Sequence, residues 1–393
     1  MDKSFQKVNM IPYSRQIIGN TDVKSVIKVL KSNFLTQGSV IKKFEKAISK
    51  KFKSKYVVSM NSATSALHVA CLALGIRKKD IVWTCTNSFV ASSNCALYCG
   101  AKVDLIDIDP KNYNLNIEEL KLKLLKAKKI KKLPKLLIPV HFAGLPCDMK
   151  KIYELSKIYG FKILEDASHA IGSEYYGNKI GNCKYSDITV FSFHPVKIIT
   201  TAEGGAALTN KQKLFDRLQL FKNHGITRNK KLLNKKNYPG WYYEHVDLGY
   251  NYRLNEIQSA LGLAQLKRLE KWIKIREKIF NIYSKELSKL PLILPKKFKN
   301  LKSSNHLYVI QTLDKSGKIR DKLYNFLKKK RIEANLHYIP IHTQPYYKKI
   351  GFKNHKFPNA NLYYKRCLSI PMFAGLRNKD LEKVIKYIKV FFK

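Results

Sequence analysis

Between residues 56 and 209 the apolar positions fall into short runs separated by helix-length stretches. Tyr56–Met60, Ile81–Thr84, Val103–Ile108, Leu136–Val140, Phe161–Asp166 and Asp187–Phe193 are apolar and often β-branched, and polar or turn residues bound them. Each predicts a buried strand. Helical patterns precede and separate them: from a cap at Thr21 or Asp22 to Leu30, then Ile41–Lys51, Ala66–Leu74 and one opening near Phe89. Strand–helix alternation of this kind predicts an α/β fold around a mostly parallel, doubly wound sheet. Beyond it come a helix over Asn210–Lys222, a long loop or flap over Asn223–Asp247, and one or two helices over Leu254–Leu290. Pro291 and Pro295 mark a break. Leu307–Thr312 and Ala334–Tyr338 then read as strands, with helices over Arg320–Lys329 and Lys379–Phe392. The expected organisation is an N-terminal arm (1–20), a large domain (21–265) and a smaller C-terminal α/β domain (266–393).

The most informative stretch is Phe191–Thr209. The strand ending at Phe193 is broken by His194-Pro195, because proline cannot donate to a ladder. Lys197 follows in a loop between Val196 and Ile198-Ile199, Gly204-Gly205 turns the chain, and Ala206–Leu208 resumes a strand. A lysine among apolar groups has its ammonium form disfavoured, which makes its amine a nucleophile toward a carbonyl. Asp166 ends another apolar run, and in α/β sheets reactive groups gather at the carboxyl ends of strands. A Schiff-base lysine with a carboxylate for a pyridinium nitrogen points to pyridoxal 5′-phosphate (PLP) chemistry. Taken singly, each residue has a plainer account: Lys197 as a surface charge, Asp166 as a helix cap.

The same double reading applies to Asn61-Ser-Ala63-Thr64. Small residues between a strand and a helix let backbone amides approach a phosphate, while Ser62 or Thr64 as a simple cap needs no ligand.

Composition changes the picture in one respect. The 393 residues carry a formal net charge of +47, which taken literally favours nucleic acid or an anionic membrane. The excess is mostly lysine spread along the chain, densest over Lys121–Lys135, which reads as an amphipathic surface helix. No nucleic-acid-binding motif accompanies it, and the charge is expected to serve solubility and attract a phosphorylated substrate. The seven cysteines show no C-x-x-C pair, so reduced thiols and no metal site are expected. No apolar run reaches membrane-spanning length, and a cytoplasmic enzyme is expected.

Five stretches together resemble the DegT/DnrJ/StrS family of PLP-dependent nucleotide-sugar aminotransferases, of the aspartate aminotransferase fold type: residues 61–68, 165–173, 191–197, 200–206 and 249–262, in family order and spacing. Residues 31–38 and 303–308 narrow the likeness to members that aminate C4 in pseudaminic acid biosynthesis. The resemblance implies Lys197, Asp166 and His169 as catalytic residues, with His169 near the cofactor's 3′-oxygen. It implies Ala63, Thr64 and Ser192 on the cofactor phosphate, Phe89 stacked on the pyridine ring, and Asn251 reaching the phosphate of the other subunit of a homodimer. Tyr13, Asn33, Phe34, Leu35, Thr36, His337 and Tyr338 are the implied sugar-nucleotide contacts, and L-glutamate the implied amino donor. Dehydratases of the same fold carry histidine at the position of Lys197, which disfavours that alternative.

Overall fold

The computed structural model describes residues 10–393; residues 1–9 of the expected arm lie outside the described residues. Helices α1 (Asn20–Leu30) and α2 (Ser39–Phe52) lead into β1 (Tyr56–Met60), β2 (Ile81–Cys85), β3 (Lys102–Ile106), β4 (Leu136–Ile138) and β5 (Lys162–Asp166). Between these strands run α3 (Ala63–Ala73), α4 (Ala91–Tyr98), α5 (Ile117–Lys129) and α6 (Met149–Tyr159). A small hairpin, β6 (Glu174–Tyr175) and β7 (Asn178–Lys179), precedes β8 (Ile188–Ser192) and β9 (Gly205–Thr209). The seven-stranded sheet has the order β1-β9-β8-β5-β4-β2-β3. It is parallel from β3 through β8, while β9 runs antiparallel to both β8 and β1.

Helices cover both faces, and this is why the strands read as unbroken apolar runs rather than alternating ones. Val58, Val82, Ile138, Leu164 and Val190 pack with Leu67 of α3 on one face and are essentially inaccessible. Leu105, Leu137, Ile163 and Phe191 pack on the other with Phe44 and Phe52 of α2, Leu124 of α5 and Ile152 of α6. Helix starts are set locally. Ser62 caps α3 by accepting from the Ser65 amide at 3.0 Å, and Asn116 caps α5 through the amides of Glu118 and Glu119.

After α7 (Gln212–Lys222), the flap contains a minimal hairpin of β10 (Ile226–Thr227) and β11 (Glu244–His245). Helix α8 (Glu256–Leu266) is entered through a reciprocal Asn255–Gln258 capping box, and α9 (Leu269–Glu286) follows. Next come β12 (Leu292–Ile293), β13 (Leu301–Lys302), which pairs with β6, and β14 (Tyr308–Thr312). Beyond β14 lie α10 (Lys318–Lys329), the single turn α11 (Pro345–Tyr347), α12 (Pro358–Arg366), β15 (Cys367–Ile370) and α13 (Asn378–Phe391). Strands β12-β14-β15 form an antiparallel sheet, and a second core joins Tyr283 of α9, Leu323 of α10 and Val384 of α13 to it.

Two expectations are corrected. Ala334–Tyr338 is not a strand: only Asn335 bridges to Ser369. His337 Nδ1 is 2.8 Å from Ser369 Oγ and the Tyr338 hydroxyl leaves to reach His169, so the segment spends its polar groups across the molecule. The third strand of the small sheet is β15 instead. The lysine-rich helix starts at Ile117 and ends at Lys129, and Lys135 lies outside it, with Nζ on Asp80 and the Gly75 carbonyl.

Gly205 sets the closest backbone approach at the sheet edge that matters for function. A Cβ there would lie 2.6 Å from both Cα and N of Ala63. Gly205→Ala is therefore expected to lower unfolding stability by about 1–3 kcal/mol, the usual cost of overpacking, as a reduced urea midpoint with an unchanged m-value.

Candidate functional site

The carboxyl ends of β2, β4, β5 and β8 lie along one edge of the sheet, and the Met60 end of β1 joins them because Met60 pairs with Gly205 and Gly205 with Ser192. Asp166 ends β5 and is 4% exposed. Ser92 of α4 donates to its Oδ2 at 2.6 Å and the Ser168 amide to its Oδ1 at 3.0 Å. Its neighbour Glu165 points to the opposite side of the strand. There Glu165 is consumed by His141 at 2.7 Å, Thr189 at 2.9 Å and Ser186. The two adjacent carboxylates are thus separated in role by the pleat.

Beyond β8 the loop carrying Lys197 closes on itself. The Lys197 amide donates to the His194 carbonyl, and Thr200 Oγ1 and the Thr201 amide both donate to the Phe193 carbonyl. Ser14 Oγ reaches over from the N-terminal segment to the Val196 carbonyl at 2.9 Å. Burial pulls the Lys197 amine from 10.5 down to about 8, against an upward pull from Asp166. Its charge is felt by three buried histidines. His169 and His306 are held well below the usual imidazole range, chiefly by burial and then by neighbouring positive groups that include Lys197. His337 is lowered to about 3 by burial and Lys197.

The histidines are therefore neutral, and the hydrogen bonds assign a tautomer. His169 Nδ1 accepts from the Ala143 amide at 3.3 Å, so Nε2 carries the proton and donates to the Tyr338 hydroxyl at 3.0 Å. Tyr338 is itself pushed up by burial and by the Asp166 charge. The Phe89 ring, 59% exposed, lies 6.2 Å from the Tyr338 ring, and Tyr13 lies 5.6 Å from His337.

One cluster thus joins Lys197, Asp166, His169, Phe89, Tyr13, His337 and Tyr338. Ser192, buried at the end of β8, and the α3 start at Ala63 and Thr64 adjoin it through Gly205. The first amides of α3 have no intrahelical acceptor. Two predicted groups stand apart within a single chain. Asn33–Thr36 is a surface loop whose Leu35 carbonyl accepts from the Glu256 amide, with Phe34 63% exposed. Asn251 is exposed on the segment that pairs with Asn223. Sequence reasoning missed Ser92, His306 and Arg276. Ser92 alone had a legible cue: it stands three residues past Phe89, at helical spacing.

These groups fit PLP. A desolvated amine matches its aldehyde, a buried carboxylate its ring nitrogen, free helix-start amides and the Ser192 hydroxyl its phosphate, and a half-bare aromatic face its flat ring. The class they define is that of the PLP-dependent transferases. The chain belongs to the DegT/DnrJ/EryC1/StrS aminotransferase family, whose model matches residues 16–389. It is 40% identical over 376 residues to the UDP-4-amino-4,6-dideoxy-N-acetyl-beta-L-altrosamine transaminase of Campylobacter jejuni, covering 95% of this chain and 96% of that one. Helicobacter pylori PseC, an aminotransferase of pseudaminic acid biosynthesis, superposes with a TM-score of 0.89 at 31% identity, over 98% of this chain and 99% of that one. The PLP form of the sugar aminotransferase Spr1654 from Streptococcus pneumoniae gives 0.87 at 26% identity, over 97% and 98%.

The lowered Lys197 amine makes a pH prediction. Below about pH 8 it is an ammonium and unreactive; above, it is a free amine. Trapping of pyridoxal on Lys197 by cyanoborohydride, in cofactor-free protein, is expected to rise with a midpoint near 8 instead of 10.5. Asp166→Asn removes the upward pull and is expected to move the midpoint lower, read by peptide mapping across pH.

Proposed function

We propose that this enzyme transfers an amino group from L-glutamate to C4 of a UDP-linked 4-keto-6-deoxy-N-acetylhexosamine, giving the 4-amino sugar of the altro series on the way to pseudaminic acid. The observation that carries the transamination is the desolvated Lys197 beside Asp166 at one sheet edge. The choice of sugar is supported by the end-to-end likeness to transaminases named for that product.

When bound, PLP supplies an aldehyde for the substrate amine and a ring that accepts electrons from the substrate carbon. The chain supplies the rest. Lys197 holds the cofactor and, once displaced, its free amine moves the proton at the substrate carbon, a task suited to a base near neutral pH. Asp166, oriented by Ser92, keeps a proton on the ring nitrogen. The Tyr338 hydroxyl accepts a hydrogen bond from His169 Nε2–H and so keeps its own hydrogen free to donate. The α3 amides at Ala63 and Thr64, with Ser192, take the phosphate, and Phe89 covers the ring. Tyr13, His337 and Tyr338 line the sugar side.

The enzyme works, in this reading, as a two-fold dimer. Exposed Asn251 completes the phosphate site of the partner, and the partner's copy of the Asn33–Thr36 loop borders the sugar nucleotide. Exposed Trp241 (73%) and Leu248 (71%) near Asn251 are apolar surface such an interface would cover.

Two experiments test this. UDP-, GDP- and dTDP-linked 4-keto sugars are offered with L-glutamate and the products identified by NMR; the UDP sugar should be preferred by a wide margin and yield the altro amine. Preference for a GDP or dTDP sugar would overturn the substrate choice. Separately, Lys197→Ala and Asn251→Asp, each nearly inactive, are mixed after dissociation and reassociation. Each mixed dimer has one doubly altered site and one intact site, so activity should return. No recovery despite demonstrated exchange would remove Asn251 from the partner's site.

A further inference from the structure

A void of about 150 Å³ lies behind the His169 side of the site, between the loop after β3, the turn after β4 and the chain from α9 to β14. Phe142, Leu145, Phe280, Phe298, Leu307 and Val309 give it an apolar wall. Of these, Phe142, Phe280, Leu307 and Val309 are no more than 6% exposed. Protein interiors leave few voids larger than a water, and an apolar cavity of about 150 Å³ has room for a molecule the size of benzene. The wall therefore encloses apolar space that the chain itself does not fill.

Two features of the lining describe an occupant. Asn305 is 7% exposed and lines the void, yet its side-chain amide has no hydrogen-bond partner. Only its backbone is engaged, the amide on Ser303 Oγ at 3.0 Å and the carbonyl by Arg276 at 3.3 Å. An amide left unpaired in a buried place is costly, so a ligand that pairs with it is favoured. The second feature is charge. Lys111, Lys296, Lys297 and Lys302 all line the void. Glu277, the one acid in the lining, is 3.3 Å from Lys297, and Lys302 is 3.6 Å from Glu174. Lys111 and Lys296 have no carboxylate partner among the described residues. An apolar interior, a spare amide and uncompensated positive charge suit a small amphipathic anion. A nucleotide sugar is too large and too polar for this space.

We propose that this void is a ligand site separate from the substrate site, and that it takes a small carboxylate with an aromatic or branched apolar body. The body fills the apolar part, Asn305 supplies an amide donor for the acid, and Lys111 and Lys296 balance its charge. The wall between this site and the reaction cluster is a single turn. Ala143 lines the void, its amide donates to His169 Nδ1 at 3.3 Å, and its carbonyl accepts from the His306 amide at 3.0 Å. The Phe142 ring, on the same wall, lies 6.2 Å from the His169 ring and 6.3 Å from that of Tyr338. A bound acid thus packs against the turn that fixes the His169 tautomer, which links its occupancy to the cluster without contact with substrate.

Benzoate is the probe, titrated calorimetrically into the PLP-loaded enzyme. Benzyl alcohol keeps the ring without the charge, and acetate keeps the charge without the ring. Benzoate should bind once per chain and at least about tenfold more tightly than either, the scale of one hydrogen bond to a charged group. Irradiated 4-azidobenzoate should label the peptides carrying Leu145 or Leu307, and not those carrying Lys197 or Tyr338. The double variant Lys111→Glu, Lys296→Glu should weaken benzoate about tenfold while binding of benzyl alcohol and basal turnover stay unchanged. Asn305→Asp, which keeps the shape and replaces the donor with a second acid, should abolish benzoate binding. Should that variant fail to fold, the lysine pair, whose side chains are exposed, still decides. Failure of benzoate to bind would overturn the proposal. So would equal affinity for benzyl alcohol, indifference to the lysine variants, or label confined to the Lys197 and Tyr338 peptides.

Discussion

Desolvation of the Lys197 amine is the constraint on which the rest of the site depends. Moving its midpoint from 10.5 to about 8 corresponds to roughly 3 kcal/mol against the ammonium form. Water would erase that difference, so the loop must stay shut. Phe193, Thr200 and Thr201 close it by hydrogen bonds, Ser14 ties it to the N-terminal segment, and Gly204 admits Thr201 Oγ1 where a side chain would collide. The neighbouring histidines are neutral for the same reason, and their neutrality keeps further positive charge away from the amine. Asp166 is the counterweight that pulls the proton affinity of the amine upward against burial.

The parallel sheet makes this arrangement possible. Its strands deliver Asp166, Ser192 and the Phe89 turn to one edge, and the antiparallel insertion of β9 brings Gly205 against the start of α3. A phosphate site and a reactive lysine then share one sheet edge as their support. Segments from the C-terminal part complete the wall: His306, the His337–Tyr338 segment and Arg276 are all contributed after residue 270, and all meet the edge through His169 or Lys197. The charge of Arg276 differs from the general lysine excess because it is buried and no acid lines the cavity beside it.

Much of the core was legible in the chain itself. Strands covered on both faces must be apolar throughout, so Phe161–Asp166 and Asp187–Phe193 announced a buried parallel sheet, and the His194-Pro195 break placed Lys197 at a strand end. Capping of α3 at Ser62 is equally local. What the sequence could not decide is which distant groups meet. Ala334–Tyr338 has the pattern of a strand, yet Tyr338 is drawn to His169, over 160 residues away in the chain. Ser92 looked like any helix serine until packing laid it on Asp166. Arg276 is one basic residue among 75 in composition, and only tertiary burial, which strips its water and provides carbonyls in place of a carboxylate, makes it distinctive. Local preferences depend on neighbours in the chain and survive in its pattern. Desolvation and charge balance depend on everything packed around a group, and those were settled only when the fold closed.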